Sequence, residues 1–161
     1  SDKDVSLLVW TTTPWTLPLN RAVLLKPSTE YVVQDLDGKF VITARQLAEK
    51  AAALKNLPVK IVATFNTSEI TSGELKVHHP FIAGFQVPIM LDNSVLLEDG
   101  TAVVHSAPGC GPEDYQVGIK NNLEIYSPIT PDGKYTADIK PEELAGMPVA
   151  DGQWWVLRKL D

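Results

Sequence analysis

"VWTTTPWTLPLN", residues 9–20, places three consecutive threonines, two tryptophans and two prolines within twelve positions. A strand arriving from Val5 could end in any polar turn, and a packed core gains nothing from Thr11, Thr12 and Thr13 in a row. The stretch reads either as an irregular strand-to-loop transition or as a surface that holds something polar.

On either side the chain is mostly short strands. Val5 to Thr11 and Ala22 to Leu25 are β-rich runs that flank the Thr/Pro stretch. Tyr31 to Leu36 and Phe40 to Thr43 bracket Asp37-Gly38, a strong signal for a tight hairpin turn. The Thr43-Ala-Arg-Gln46 run reads as a capping box, and Leu47, Ala51 and Leu54 give the following helix one apolar face. Val59 to Phe65, Phe85 to Leu91, Val95 to Leu97 and Thr101 to His105 read as extended, with Asp99-Gly100 turning the chain before the last of them. In "PGCGPEDYQVG", residues 108–118, Pro112 suits the first turn of a helix, and Glu113 and Asp114 suit its dipole. The tail, with Pro128, Pro131, Asp132-Gly133 and Pro141, reads as turns with a short strand or two. No repeat, low-complexity tract or linker interrupts it. This pattern predicts a mainly β, α+β fold: a closed or nearly closed barrel with peripheral helices.

Composition narrows the chemistry. The 161 residues suit one domain spanning 1–161, and 44% hydrophobic with 21% charged residues is ordinary for a globular protein. No apolar run approaches the ~18 residues of a membrane span, and no signal-peptide pattern opens the chain. A single cysteine, Cys110, excludes an internal disulfide and a multi-cysteine metal site, and fits a reducing cytoplasm. Fourteen basic against 20 acidic residues, net −6, argue against a nucleic-acid binder working by phosphate neutralisation. A domain that receives one nucleotide end is compatible with that balance.

Several side chains read as ordinary structure. Adjacent His78 and His79 point to opposite sides of a strand and read as surface or loop histidines rather than metal ligands. Asn66-Thr67-Ser68 matches a glycosylation acceptor by chance, and Trp154-Trp155 reads as a packing anchor. Cys110 resembles an exposed nucleophile at a helix start, where a thiol pKa would fall, but no Cys/His/Asn arrangement can be assigned to it. His105 and Asp114 do better. His105 ends an apolar strand before the rigid Ser-Ala-Pro-Gly exit, and Asp114 follows at a predicted helix start, so one glycine-bracketed turn carries both.

"WTTTPWTLPLN", residues 10–20, followed by "GTAVVHSAPGCGPEDY", residues 100–115, resembles the editing (CP1) domain of bacterial-type isoleucyl-tRNA synthetase. Valyl and leucyl relatives carry Thr-Thr-Arg-Pro in the first motif, whereas Thr13 and Trp15 follow the isoleucyl pattern. The resemblance covers the chain in order, as far as the "PDGKY" turn at residues 131–135. The His-Ile-Gly-His and Lys-Met-Ser-Lys-Ser signatures of the synthetase body are absent, which implies an editing domain separated from a larger class I enzyme. Two positions depart from the family: Ala102 stands where the second glycine of Gly-Thr-Gly is usual, and Cys110 where histidine or an aromatic residue is frequent.

The resemblance implies a barrel of the six-stranded type and post-transfer editing, the hydrolysis of valyl-tRNA(Ile). Valine lacks one methylene of isoleucine, which a binding pocket can weigh at only about 1–3 kcal/mol, a figure known for that family rather than read from these residues. A second site that admits only the smaller side chain removes the errors. The implied roles follow residue by residue. Trp10, Thr11, Thr12 and Thr13 cradle the terminal adenosine and the ester, where hydroxyls can both donate and accept. Thr16 is a side-chain gate and Asn20 orients water. His105 limits pocket size and bonds the ribose, and Asp114 pairs with the α-ammonium. Thr12, Thr13, His105 and Asp114 are the implied catalytic set, acting on positioned water with neither metal nor cofactor. The implied partners are the aminoacyl-adenosine end of tRNA(Ile) and the rest of the synthetase, with the isolated domain a monomer away from membranes. Two other readings stay open: a non-catalytic module that binds the aminoacylated 3′ end, and an unrelated barrel hydrolase using Cys110.

Overall fold

The structure, a computed structural model, describes residues 4–161. In chain order the elements are β1 (Val5–Leu7), β2 (Ala22–Leu25), β3 (Glu30–Leu36), β4 (Lys39–Ala44), α1 (Ala48–Ala53), β5 (Ile61–Asn66), β6 (Lys76–His78), β7 (Gln86–Leu91), β8 (Val103–Ser106), α2 (Pro112–Lys120) and α3 (Val149–Leu160). Their ladders form two mixed four-stranded sheets, and among the described residues no ladder closes a barrel.

The chain divides into two compact units. The first takes the chain as far as Trp10, then Val23–Leu75 and Ile89–His105. Its sheet runs β1-β4-β3-β5, with β1 parallel to β4 and β3 antiparallel to both neighbours. Asp37 and Gly38 have φ of 54° and 86°, the left-handed pair that matches the twist of a two-residue hairpin, so β3 and β4 pair from Leu36↔Lys39 to Tyr31↔Ala44. β2, Ala-Val-Leu-Leu, is buried throughout and pairs in parallel with the second half of β7, from Val23↔Ile89 to Leu25↔Leu91. A run buried on both faces needs no polar alternation.

Three local expectations in this unit change. Thr43 opens no capping box: it lies buried in β4 and meets Gln34 Nε2 at 3.2 Å, and a 3-10 turn, Arg45–Leu47, precedes α1. Leu54 is exposed, and the buried face is instead Leu47, Ala48, Ala51 and Ala52. Val95 to Leu97 forms no strand; Val95 is buried within a turn whose Asp92 side chain accepts from the Ser94 amide at 2.9 Å.

The second unit comprises Thr11–Ala22, Lys76–Pro88 and Ser106–Asp161. β6 pairs antiparallel with the first half of β7, centred on Val77↔Val87. The tail, expected to be turns, ends in the helix α3, which packs on the 3-10 turn Pro14–Leu19. Gly152 lets α3 lie close against Tyr135, because a Cβ there would lie 2.4 Å from the Tyr135 ring. Of the two adjacent tryptophans, Trp155 is the anchor: it is buried, its ring lies 5.5 Å from Phe81, and its Nε1 donates to Glu143 at 3.0 Å. Trp154 is exposed. No helix of the described residues is long and apolar enough to cross a membrane.

Candidate functional site

The threonine stretch belongs to the second unit, where it forms a turn braced from within. The Thr13 amide donates to Thr11 Oγ1 at 3.1 Å. The amide and hydroxyl of Thr16 both donate to the Thr13 carbonyl, at 3.1 and 2.9 Å. Pro14 opens the 3-10 turn, where a missing N–H costs nothing, and the Asn20 amide closes it on the Leu17 carbonyl at 3.1 Å. The consequence is a division of labour. Thr16 and Asn20 are buried, the Thr16 hydroxyl spent on the turn and the Asn20 Nδ2 on the Ala22 carbonyl at 2.8 Å. Thr12 and Thr13 remain exposed.

From the far side, the Tyr135 hydroxyl donates to the Trp15 carbonyl at 2.7 Å. Burial pushes the Tyr135 phenol up to about 12, with Cys110 adding to the shift, so it is a donor at any physiological pH.

Within the same unit, the Arg21 amide donates to the Ser106 carbonyl at 2.9 Å and so ties the end of this turn to the loop that leads into α2. That loop is tight. A Cβ on Gly109 would fall 2.1 Å from the Tyr126 carbonyl oxygen, and the Cys110 amide donates to the Ala107 carbonyl at 2.9 Å. Asp114 lies in the first turn of α2, half-buried, and its Oδ2 accepts from the Ala107 amide at 3.2 Å. Burial raises its pKa; the Ala107 hydrogen bond opposes this and the Glu113 charge adds to it. A carboxylate short of solvation is stabilised by a cation that approaches it.

Cys110 departs from its sequence reading. Burial, and then the Asp114 charge, push the thiol up to about 11, away from the lowered value expected at a helix start. Desolvation and a neighbouring carboxylate outweigh the helix dipole, so the thiolate is scarce at neutral pH.

Trp10 and His105 belong to the first unit. Trp10 is 54% exposed and packs on Gly100, where a Cβ would meet the indole at 2.8 Å. His105, on β8, is 7% exposed. Ala102, three residues before His105, has φ 58°, the left-handed conformation that favours glycine. Among the described residues no group of three or more His, Cys, Asp or Glu could hold a metal ion.

Sequence reading passed over three contributors. Tyr135 sits 120 residues from the carbonyl it holds. Arg21 has its guanidinium 5.2 Å from the Phe85 ring centroid and 4.2 Å from that of Tyr126, and is paired with Glu124 at 3.0 Å. Arg21, Phe85 and Tyr126, with Pro18, Ile82 and Lys140, line an open pocket of about 130 Å³. The third is His79, read as a surface or loop histidine: it lies in the loop after β6 but is buried there, whereas its neighbour His78, the last residue of β6, is exposed. Tyr135 and Arg21 are marked by contacts with residues distant in the chain, and no local motif marks any of the three.

No protein-family model matches the chain. Its fold is similar to that of the GlLeuRS-CP1 crystal structure, with a TM-score of 0.74 and 17% identity over 99% of this chain and 81% of that one. It is also similar to the cytosolic leucyl-tRNA synthetase editing domain of P. knowlesi (TM-score 0.70, 13% identity, 98% and 81% covered) and that of P. falciparum (0.66, 11%, 99% and 78%). The chain therefore has the fold of these CP1 editing domains.

Proposed function

We propose that this chain is a post-transfer editing domain of isoleucine–tRNA ligase that hydrolyses the ester of mischarged valyl-tRNA(Ile) with a positioned water. The observation that carries the reading is the braced turn of the second unit. It spends Thr16 and Asn20 on nearby backbone and leaves Thr12 and Thr13 exposed, while the half-buried carboxylate of Asp114 stands in the first turn of the helix that follows the loop to which that turn is tied. Hydroxyls that donate and accept suit ribose oxygens and a carbonyl whose charge changes during attack. A carboxylate with a raised pKa suits an α-ammonium. Likeness of fold to synthetase editing domains supports the reaction class, and the Thr13 and Trp15 pattern supports isoleucine over leucine.

In this reading Trp10 and Thr11 to Thr13 cradle the terminal adenosine, Thr16 bounds the side-chain pocket, Asn20 orients water, His105 excludes the larger side chain and Asp114 receives the ammonium. The tRNA 3′ end and the remainder of a synthetase are the partners, in the cytoplasm. The deciding experiment incubates the chain with valyl-tRNA(Ile), isoleucyl-tRNA(Ile) and mischarged tRNA(Leu) and follows release of the free amino acid. Valine release from tRNA(Ile) with isoleucine spared is the expected result. Binding without turnover would replace the enzyme by a 3′-end binding module, and hydrolysis confined to tRNA(Leu) would overturn the isoleucine assignment.

A further inference from the structure

Arg21 follows directly on the threonine stretch, and its side chain is only 13% exposed. Nη1 donates to the Asn20 carbonyl at 2.9 Å and Nε to the Glu124 carboxylate at 3.0 Å. The guanidinium lies over the rings of Tyr126 and Phe85, with Cζ 4.2 and 5.2 Å from their centroids. The Glu124 side chain is largely open to solvent, and an ion pair with such a partner contributes little by itself. What a buried guanidinium offers beyond charge is a row of donors along its edge together with flat faces for aromatic rings.

The partners of Arg21 fall on both sides of α2 in the chain, and all of them lie in the second unit. Before the helix, the Arg21 amide holds the Ser106 carbonyl at 2.9 Å, and the next residue, Ala107, gives its amide to Asp114 Oδ2 at 3.2 Å. After it, Glu124 and Tyr126 meet the guanidinium, and the Tyr126 carbonyl lies against Gly109 in the loop that opens α2. Within α2 only Gly118 is buried, pressed against Pro108 and Ile125. Helices in proteins are held mainly by packing of an apolar face, and α2 buries none. Its placement depends on how its two ends are held.

We propose that Arg21 is a positioning residue that grips the α2 segment at both ends and so fixes the Asp114 carboxylate relative to the Thr11–Asn20 turn. It acts through Asp114 and not on the substrate itself. Its consequence for hydrolysis rests on the proposed function; its structural claim stands without it.

The test compares Arg21→Met and the milder Arg21→Lys with the parent. Methionine keeps an apolar stem and removes every guanidinium contact. Lysine keeps the charge but has no flat face and cannot serve Asn20 and Glu124 from one plane. The first readout is amide hydrogen exchange, followed by NMR without tRNA. The Ala107 and Leu123 amides, which donate to Asp114 and Gly118, should exchange at least ~10-fold faster in Arg21→Met. In Arg21→Lys the same amides should exchange at least ~3-fold faster. The Tyr135 and Gly146 amides, paired within the tail of the same unit, should stay within about twofold of the parent in both variants.

The second readout is a double-mutant cycle on kcat/KM for valyl-tRNA(Ile). Arg21→Met should cost at least ~10-fold in the parent but no more than about threefold in the Asp114→Ala background, where the group it positions is already gone. Parental exchange at Ala107 and Leu123 in Arg21→Met overturns the proposal; should that variant not fold, Arg21→Lys decides by the same comparison. Acceleration that spreads equally to Tyr135 and Gly146 also overturns it, as do losses that simply multiply in the cycle, because either makes Arg21 a general stabiliser. A parent that lacks deacylase activity would overturn the proposed function and leave the exchange result to decide this one.

Discussion

The Tyr31 hydroxyl donates to the Ala102 carbonyl at 2.6 Å while accepting from the Lys26 amide at 2.9 Å. A buried phenol thus clamps a non-glycine residue in the left-handed region at the entry to the strand that carries His105. Ala102→Gly should relieve about 1–2 kcal/mol of left-handed strain and give back roughly 0.4–1 kcal/mol in unfolded-state entropy. Urea unfolding should therefore show stability unchanged or up to about 1.6 kcal/mol higher. A loss above ~0.5 kcal/mol would mean the alanine methyl contributes packing that outweighs its strain.

Cys110→Ala should leave valyl-tRNA deacylation within about threefold of the parent, because a thiol pushed up to about 11 offers almost no thiolate at neutral pH. The parent should likewise alkylate slowly with iodoacetamide at pH 7. A fall of ~1,000-fold in the variant, the scale of removing a covalent nucleophile, would establish thiol catalysis.

Asp114 separates function from stability. If it binds the α-ammonium, Asp114→Ala should lower deacylation by roughly 10- to 200-fold, from a charge-assisted bond of about 1.5–3 kcal/mol. On an ester lacking the amino group, parent and variant should react alike; equal impairment there would refute the contact. The raised pKa sets the sign for stability. Its folded value lies above the unfolded one, so the ionised form costs stability once the pH exceeds both. Asp114→Asn, which keeps an acceptor for the Ala107 amide, should therefore be no less stable than the parent at pH 7 while losing activity.

His105 tests the sieve. His105→Ala should let isoleucyl-tRNA(Ile) be hydrolysed alongside valyl-tRNA. A variant that loses valyl activity and still spares isoleucine would make His105 a catalytic or structural residue. Because the side chain is 7% exposed, thermal unfolding of the variant should be measured alongside.

The acid response should report His79. Its folded pKa of about 4 lies below the ordinary 6.5, so above pH ~6.5 the ring is neutral in both states and contributes no slope. As the pH falls from 6.5 towards 4 the unfolded chain takes up the proton first, and roughly 3 kcal/mol of stability is lost across that window. Urea midpoints at pH 7, 5.5 and 4.5 should fall more steeply for the parent than for His79→Asn. Parallel pH profiles would show that the ring titrates normally in the folded chain.

What the amino-acid order determined by itself is local. Asp37-Gly38 makes the β3–β4 hairpin because two adjacent residues must take positive φ. Pro112, Glu113 and Asp114 open α2 where expected, because first-turn preferences are set within a few residues. The threonine stretch announces a turn with hydroxyls to spare. Tertiary structure decided the rest, because burial and long-range pairing have no short-range signature. The tail reads as turns, yet Val149–Leu160 forms α3, whose Gly152 lies where the Tyr135 ring leaves no room for a side chain. Cys110 carries the local signature of an activated thiol, and the packing around it reverses the sign. Thr16 and Asn20 look as available as Thr12 until the folded turn uses their side chains for its own backbone. His79 looks like a surface or loop residue until Phe81 and Phe85 close around it. In each case the deciding partner lies beyond the reach of a sequence window or arises only when the backbone turns back on itself.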